Sequence, residues 1–423
     1  MKKFILINCI IFLFFTGIVQ AQRRSVESKS TAPVTTVSKN DVEVLFNKGK
    51  WEYHLNRQDL GYSHSSIKTN GMDQGHQSDF KLNLGTNYFV ADNIGIGLEL
   101  NTDFNSYKNT TKQTGDSWMT YANFTYGKAC HHNFNFFARA GIGLGGNTSK
   151  YTPITGSSTT DKSNLFGYKV DVGFPIRIDK EEPIYFTPKI GYRYLQDKFD
   201  GGTETDDRFC FGFDFETYLF CKEMECDSHL HHALSTGMYD QGNSFFGVTT
   251  RGRFDFGNNT TKYDNNSFAP TKEKYSIQDL DANYMYYIVH DFALGVDLGF
   301  NNNVYKTAAS NTKQTNNSFN FMPMFNFNIP SENQGLNNLF IMGGYGFGSA
   351  KNEYTSGTTS NTTKYSTTDF CAGLGYNLFF HKRLAFDIGA EYDISTSKNK
   401  TTDVKTKYSG LELSCGIKTF LRN

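Results

Sequence analysis

Apolar and polar residues alternate at period two through most of the chain beyond residue 50. In residues 208–220, Phe209, Phe211, Phe213 and Phe215 occupy every second position, with Cys210, Gly212, Asp214 and Glu216 between them. Successive side chains of a strand point to opposite faces, so this stretch is a strand with one aromatic face and one small or charged face. The C-terminal residues 408–420 repeat the form. Leu411, Leu413, Cys415 and Ile417 share one face; Gly410, Glu412, Ser414, Gly416 and Lys418 share the other; and the run ends on Phe420.

Between residue 51 and residue 220 the same alternation predicts eight strands. In residues 80–90, Phe80, Leu82, Leu84, Thr86, Tyr88 and Val90 alternate with more polar neighbours. Asp92-Asn93 makes a tight turn, and Ile94, Ile96, Leu98 and Leu100 continue beyond it, a hairpin signature. Short turns at 92–93, 130–133 and 179–183 alternate with long polar stretches at 64–77, 105–116, 146–164 and 197–207, which read as loops. The second half runs in parallel. Tyr88-Phe89-Val90 and Leu98-Glu99-Leu100 recur as Tyr286-Tyr287-Ile288 and Val296-Asp297-Leu298 at an offset of 198 residues, and Phe220 recurs as Phe420 at an offset of 200. Polar stretches return at 258–274, 301–317, 351–365 and 395–407. Short turns return at His290-Asp291 and His381-Lys382, with a longer connection at 330–338. The chain reads as an internal duplication of one eight-strand unit, divided as residues 50–220 and 243–423 around a linker at 221–242. A soluble β-sandwich gives no reason for such strict alternation of short and long connections; a membrane barrel with short turns at one end and long loops at the other does.

Composition sharpens this. Lys+Arg and Asp+Glu both number 42, so the net charge is zero and an electrostatic nucleic-acid partner is not expected. The mean hydropathy of −0.51 is that of a soluble protein, but barrel strands are apolar only on alternate residues and also average low. Lys2 and Lys3, the apolar run 4–19 and Val19-Gln20-Ala21 form a secretory signal peptide over residues 1–21, followed by a Ser/Thr/Lys-rich tether within residues 22–49. An exported chain permits a disulfide between Cys221 and Cys226.

Each half thus resembles the small eight-stranded outer-membrane β-barrel domain of the OmpA/OmpX type. The resemblance covers nearly all of the mature chain and rests on architecture: alternating strands, loop asymmetry and a terminal aromatic. It implies an all-β, antiparallel, up-and-down transmembrane β-barrel as two eight-stranded units in tandem, with one sixteen-stranded barrel as the alternative. It also implies residence in the cell outer membrane and contact with outer-membrane lipid and lipopolysaccharide. The barrel-insertion machinery is a further expected partner, and the outer loops are offered to an extracellular ligand. The role expected is structural or surface-interacting rather than enzymatic; the alternative is a porin-like channel for small polar solutes through a single larger barrel.

With the apolar face toward lipid, the opposite face fills the barrel. The first half contributes Lys81, Glu99, Asp103, Arg139, Lys169, Asp171, Arg177, Lys189, Arg193, Asp214 and Glu216, nearly balanced in sign. The second contributes Arg251, Arg253, Asp255, Asp279, Asp281, Asp297, Asp387, Glu391, Asp393, Glu412 and Lys418, with an acidic excess. Charges in a narrow interior must pair, because an unpaired buried charge is costly, so the expected lumen is a self-neutralised plug rather than an ion path. Tyr121, Phe137, Tyr185, Met322, Met324, Phe340 and Phe379 also point inward by parity, which favours two narrow barrels. No catalytic, cofactor-binding or metal-binding residues are assigned. His64 and His76, with Asp59, Asp73 and Asp79 nearby, are read as solvated residues before any hydrolytic role. Cys221, Cys226, His229, His231 and His232 have metal-capable side chains at a spacing that matches no standard zinc site. Three Asn-Thr-Thr runs beginning at Asn109, Asn259 and Asn361 are read as flexible polar loop.

Overall fold

In the computed structural model the chain is described at residues 46, 48–109, 111–131, 134–153, 155–177, 184–219, 239–246, 251–264, 269–329, 337–381 and 384–421. The expected signal peptide, most of the expected tether and most of the expected linker, with its cysteines and histidines, lie outside these residues.

Every described element is a strand. The first half comprises β1 (Trp51–Thr69), β2 (Met72–Ala91), β3 (Ile94–Lys108), β4 (Lys112–His131), β5 (Phe134–Thr152), β6 (Thr159–Gly173), β7 (Ile176–Arg177), β8 (Ile184–Phe199) and β9 (Gly202–Leu219). The second comprises β10 (Ser244–Phe246), β11 (Arg251–Tyr263), β12 (Thr271–Val289), β13 (Phe292–Thr307), β14 (Thr312–Asn328), β15 (Asn337–Ser356), β16 (Thr359–His381), β17 (Leu384–Asn399) and β18 (Lys405–Leu421). The short β7 prolongs β6, and β10 prolongs β11, so sixteen staves form one closed antiparallel barrel. Among the described residues no helix is long and apolar enough to cross a membrane.

The apolar parity faces outward as the alternation requires. Ile96, Leu98, Phe124, Ile142, Leu144, Ile190, Phe209, Phe211, Tyr345, Leu374 and Leu413 are all exposed large hydrophobics on the outer wall. A spanning strand needs only about 9–11 residues, whereas β15 and β16 have 20 and 23. The surplus corrects the loop assignment. The polar stretches at 64–77, 105–116, 301–317, 351–365 and 395–407 are largely strand that continues past the apolar belt and reverses in tight turns. Asn70 and Gly71 show how: both have positive φ, 50° and 81°, the backbone that two-residue hairpin turns demand and that Asn-Gly adopts readily. With water on both faces, Thr, Ser, Asn and Tyr extend a ladder without an apolar stripe, so the period-two signal disappears although the strand does not. Asn259 and Asn361 lie inside β11 and β16, not in loops.

The expectation of two separate eight-stranded units is also corrected, and the seam shows why. At the short-turn end each half does close on itself. Trp51, Glu52 and Tyr53 of β1 pair with Leu219, Tyr218 and Thr217 of β9, while Ser244, Phe245 and Phe246 pair with Leu421, Phe420 and Thr419 of β18. Then β1 changes partner. Between Leu55 and Leu60 its register with β2 slips, five residues advancing against two, from Leu84 to Leu82. Beyond that irregularity β1 pairs with β18, from Gly61↔Ser414 to Thr69↔Thr406. The edge of β9 that β1 leaves would expose a row of unpaired N–H and C=O groups. It is taken by β11 instead, from Gly252↔Phe213 to Tyr263↔Gly202. Two small rings at the turn end therefore merge into one large ring toward the hairpin end.

Candidate functional site: the barrel lumen

The interior is filled in layers. Deepest, at the short-turn end, lie two separate apolar clusters. Phe46, Phe89, Phe137 and Tyr185 form the first. Phe245, Met285, Tyr287, Met324, Phe379 and Phe420 lead the second, against which Tyr239, Met322 and Met342 pack. Phe46 and Tyr239 reach these clusters from just before β1 and β10. Tyr239 stands edge-on to Tyr287, Phe379 and Phe420 at 5.7, 6.0 and 5.8 Å between ring centroids. Small residues make the room: a Cβ on Gly127 would lie 2.4 Å from the Phe46 ring, and one on Gly173 2.4 Å from Phe137. Phe137, Tyr185, Phe340 and Phe379 are buried as their parity predicts. Their burial does not require two full-length barrels, because they sit where the halves still close separately.

Above the first cluster the charges pair. The Arg139 guanidinium donates to Glu52 Oε1 at 2.7 Å and to Thr125 Oγ1 at 3.2 Å, and Asn87 donates to the other Glu52 oxygen at 2.9 Å. Both ionic side chains are buried, and the Arg139 guanidinium lies 5.0 Å from the centroid of the Phe137 ring. Lys169 donates to Glu99, which also accepts from Asn101 at 3.1 Å, while the Lys169 ammonium sits 4.8 Å over the Tyr121 ring. At the seam Arg253 donates to Asp255 at 2.8 Å, and Arg208 lies 3.5 Å from the same buried carboxylate. Of these groups Glu99, Arg139, Lys169, Arg208, Arg253 and Asp255 line a cavity of about 370 Å³, together with Asp171, Lys189 and Arg193. Lys81 and Asp103 line a smaller one of about 210 Å³ nearer the hairpin end. Glu52 was missed in the sequence because it precedes the recognisable alternation, and Arg208 because it opens the aromatic strand.

In the second half Lys418 donates to Asp387 at 2.6 Å and to Asn377 Oδ1 at 3.2 Å, with its ammonium 4.0 Å over the Phe340 ring. Asn283 bridges Asp297, at 3.0 Å, and Met324 Sδ, at 3.4 Å. Cys371, Glu391 and Asp393 bring one potential ligand atom each to within 4.8 Å of one another, a mixed thiol–carboxylate group in which parity had placed only the two acids. The side chains of Asp214, Glu216 and Arg251 lie outside the described residues, as does that of Asp59.

On the outer hairpin β1–β2, His64 and His76 do come together, with near-parallel rings whose centroids are 5.9 Å apart. Asp79 is turned aside, accepting from Gln77 at 2.8 Å.

No family model matches the sequence, and no curated protein matches it. Solved structures with a similar arrangement are outer-membrane barrels. Ail, the attachment invasion locus protein of Yersinia pestis, has 18% identity over 42% of this chain and 99% of its own, with a TM-score of 0.23. OpdO of Pseudomonas aeruginosa has 8% identity over 89% and 98%, with a TM-score of 0.28. The translocator domain of the autotransporter NalP from Neisseria meningitidis has 10% identity over 97% of both chains, with a TM-score of 0.23. At these values none carries a functional argument, and the reading rests on the chain's own geometry.

Proposed function

We propose that this chain is an exported, integral outer-membrane β-barrel protein with a structural or surface-interaction role. In this reading residues 1–21 direct export, the outer wall meets lipid and lipopolysaccharide, and the polar strand extensions stand outside as the surface offered to extracellular ligands. The apolar belt supports membrane residence, since a barrel that closes its own hydrogen-bond ladder is one of only two backbone solutions for crossing a bilayer. The single observation that carries the non-conducting role is the pair of aromatic clusters across the lumen beneath an ion-paired layer. An open barrel of sixteen strands leaves an aqueous channel, whereas here each half carries its own apolar floor.

A second reading has its own support: one continuous sheet of sixteen staves is the architecture of a porin-like channel for small polar solutes. Planar-bilayer recording on the refolded full-length protein separates the two. The plugged reading expects no regular steps. Reproducible nanosiemens steps from wild-type protein would overturn it in favour of the channel.

A further inference from the structure

Arg193 is a lumen cation that the pairing layer does not take up. It stands in direct cross-strand register with Lys169 of β6 on one side and Arg208 of β9 on the other. Three neighbouring strands therefore set three like charges in one row on the inner face. Side chains opposite one another in such a row start about 4.5–5.5 Å apart, and like charges so placed destabilise a sheet. Lys169 is relieved by its ion pair with Glu99. Arg208 is relieved less. Asp255 Oδ2 lies 3.5 Å from its Nη1 and Asp206 Oδ2 3.6 Å from its Nε, both beyond the about 2.7–2.9 Å of a charge-assisted hydrogen bond. The buried Arg208 Nε has no hydrogen-bond acceptor. Among the described residues Arg193 forms neither a hydrogen bond nor an ion pair. It is exposed although it lines the inner cavity, so water reaches it from within the lumen.

The surroundings carry the same sign. Six cations and three carboxylates line the cavity of about 370 Å³. Glu52 takes Arg139 from beyond that lining and Asp206 approaches Arg208, which among the described side chains still leaves six cations against five carboxylates. Asp171 lines the same space but forms no ion pair with Arg193 among the described residues. Phe137, part of the first apolar floor, lines it too, so a solute reaches the row from the hairpin end. The chemistry of the row selects its occupant. Each guanidinium carries five N–H donors in a planar fork, and two adjacent forks offer more donors than the two oxygens of one carboxylate accept. A tetrahedral oxyanion presents oxygens to both forks at once and cancels the repulsion along the row.

We propose that Arg193 and Arg208, with Lys169 beside them, form a lumen site for a small free oxyanion of the phosphate class. The site needs no passage through the barrel, so it goes beyond the choice between plug and channel. The test is isothermal titration calorimetry of the refolded full-length protein in a phosphate-free detergent at low ionic strength, with inorganic phosphate as the probe. The gel shift between folded and unfolded barrel verifies that each variant is folded. Saturable binding of one phosphate per chain is expected. Arg193→Gln should weaken it about tenfold or more, the loss of hydrogen bonds to a charged group. Arg193→Lys, which keeps the charge and loses the fork, should fall between the two. Lys351→Gln, on the hairpin extension of β15, should leave the affinity within about twofold of wild type. Acetate should bind several-fold more weakly than phosphate. Wild-type protein that shows no saturable phosphate binding up to tens of millimolar overturns the site whatever the variants do. So does an Arg193→Gln protein that binds phosphate as tightly as wild type, and acetate that binds as well as phosphate overturns the assigned class. The readout is equilibrium binding, so its failure is distinct from any outcome of the bilayer recordings.

Discussion

Replacing Lys418 by Met tests the paired-lumen account most directly. Lys418 and Asp387 are each 6% exposed at the side chain and 2.6 Å apart, so solvent screening does not excuse the pair from its energetics. Met keeps most of the stem that packs under Phe340 and removes only the charge, leaving the Asp387 carboxylate buried without its counterion. Breaking a buried pair by removing one partner costs about 3–5 kcal/mol, while replacing both is often neutral. The ammonium over Phe340 at 4.0 Å, an interaction of about 0.5–2 kcal/mol, is lost within that total. Lys418→Met should therefore lower unfolding free energy by about 3–5 kcal/mol. Adding Asp387→Asn should recover at least half of the loss, because the second change removes the stranded charge. The assay is equilibrium urea unfolding of the refolded protein in lipid vesicles, followed by far-ultraviolet circular dichroism and by the gel shift between folded and unfolded barrel. A Lys418→Met protein within 1 kcal/mol of wild type would refute the reasoning, as would a double variant no more stable than the single one.

Other outcomes follow from the same geometry. Gly173→Val drives a side chain into the Phe137 ring, against a Cβ separation of 2.4 Å, and should cost about 1–3 kcal/mol. Gly389→Ala, whose nearest neighbour would be 3.6 Å away, should stay within about 0.5 kcal/mol of wild type, both read by the same urea titration. Phe46→Ala together with Tyr239→Ala removes a ring from each apolar floor. It should raise small-ion leakage in bilayer recordings above the wild-type level, and identical traces would count against the plug. Lys398, near the end of β17, lies 2.8 Å from Asp403 in the turn to β18, and its hydrogen bond and charge hold that carboxyl below its ordinary value of 3.8. A lowered folded pKa contributes stability that is present above 3.8 and lost as pH falls through the folded value. Carboxyl NMR should place the Asp403 midpoint below 3.8 in wild type and move it upward in Lys398→Met.

The sequence by itself determined the strand faces. Alternation in residues 80–101 and 208–220 is a local property, fixed by the pleat, so Ile96, Phe209 and Phe211 could be placed outside and Phe137, Lys169 and Arg193 inside before any pairing was known. It also determined the tight turns at Asp92-Asn93 and His290-Asp291, where φ at Asn93 and Asp291 is positive. Strand length was legible only while one face was apolar. Where both faces are polar, as in residues 105–116 or 351–365, nothing in the polarity marks the strand, and the hairpin extensions read as loops.

Tertiary structure alone decided the seam. Backbone ladders are built from groups that every residue carries, so the edge of β9 accepts β1 and β11 equally well on pattern grounds. The choice came from an irregularity, the Leu55–Leu60 slip against Leu84–Leu82, which carries β1 from one neighbour to another. That slip makes one barrel of sixteen staves from a chain whose repeat suggested two of eight. Pairing partners such as Glu52 with Arg139, or Arg208 with Asp255, depend on the same closure. They bring together residues 87 and 47 positions apart, beyond the reach of any local pattern.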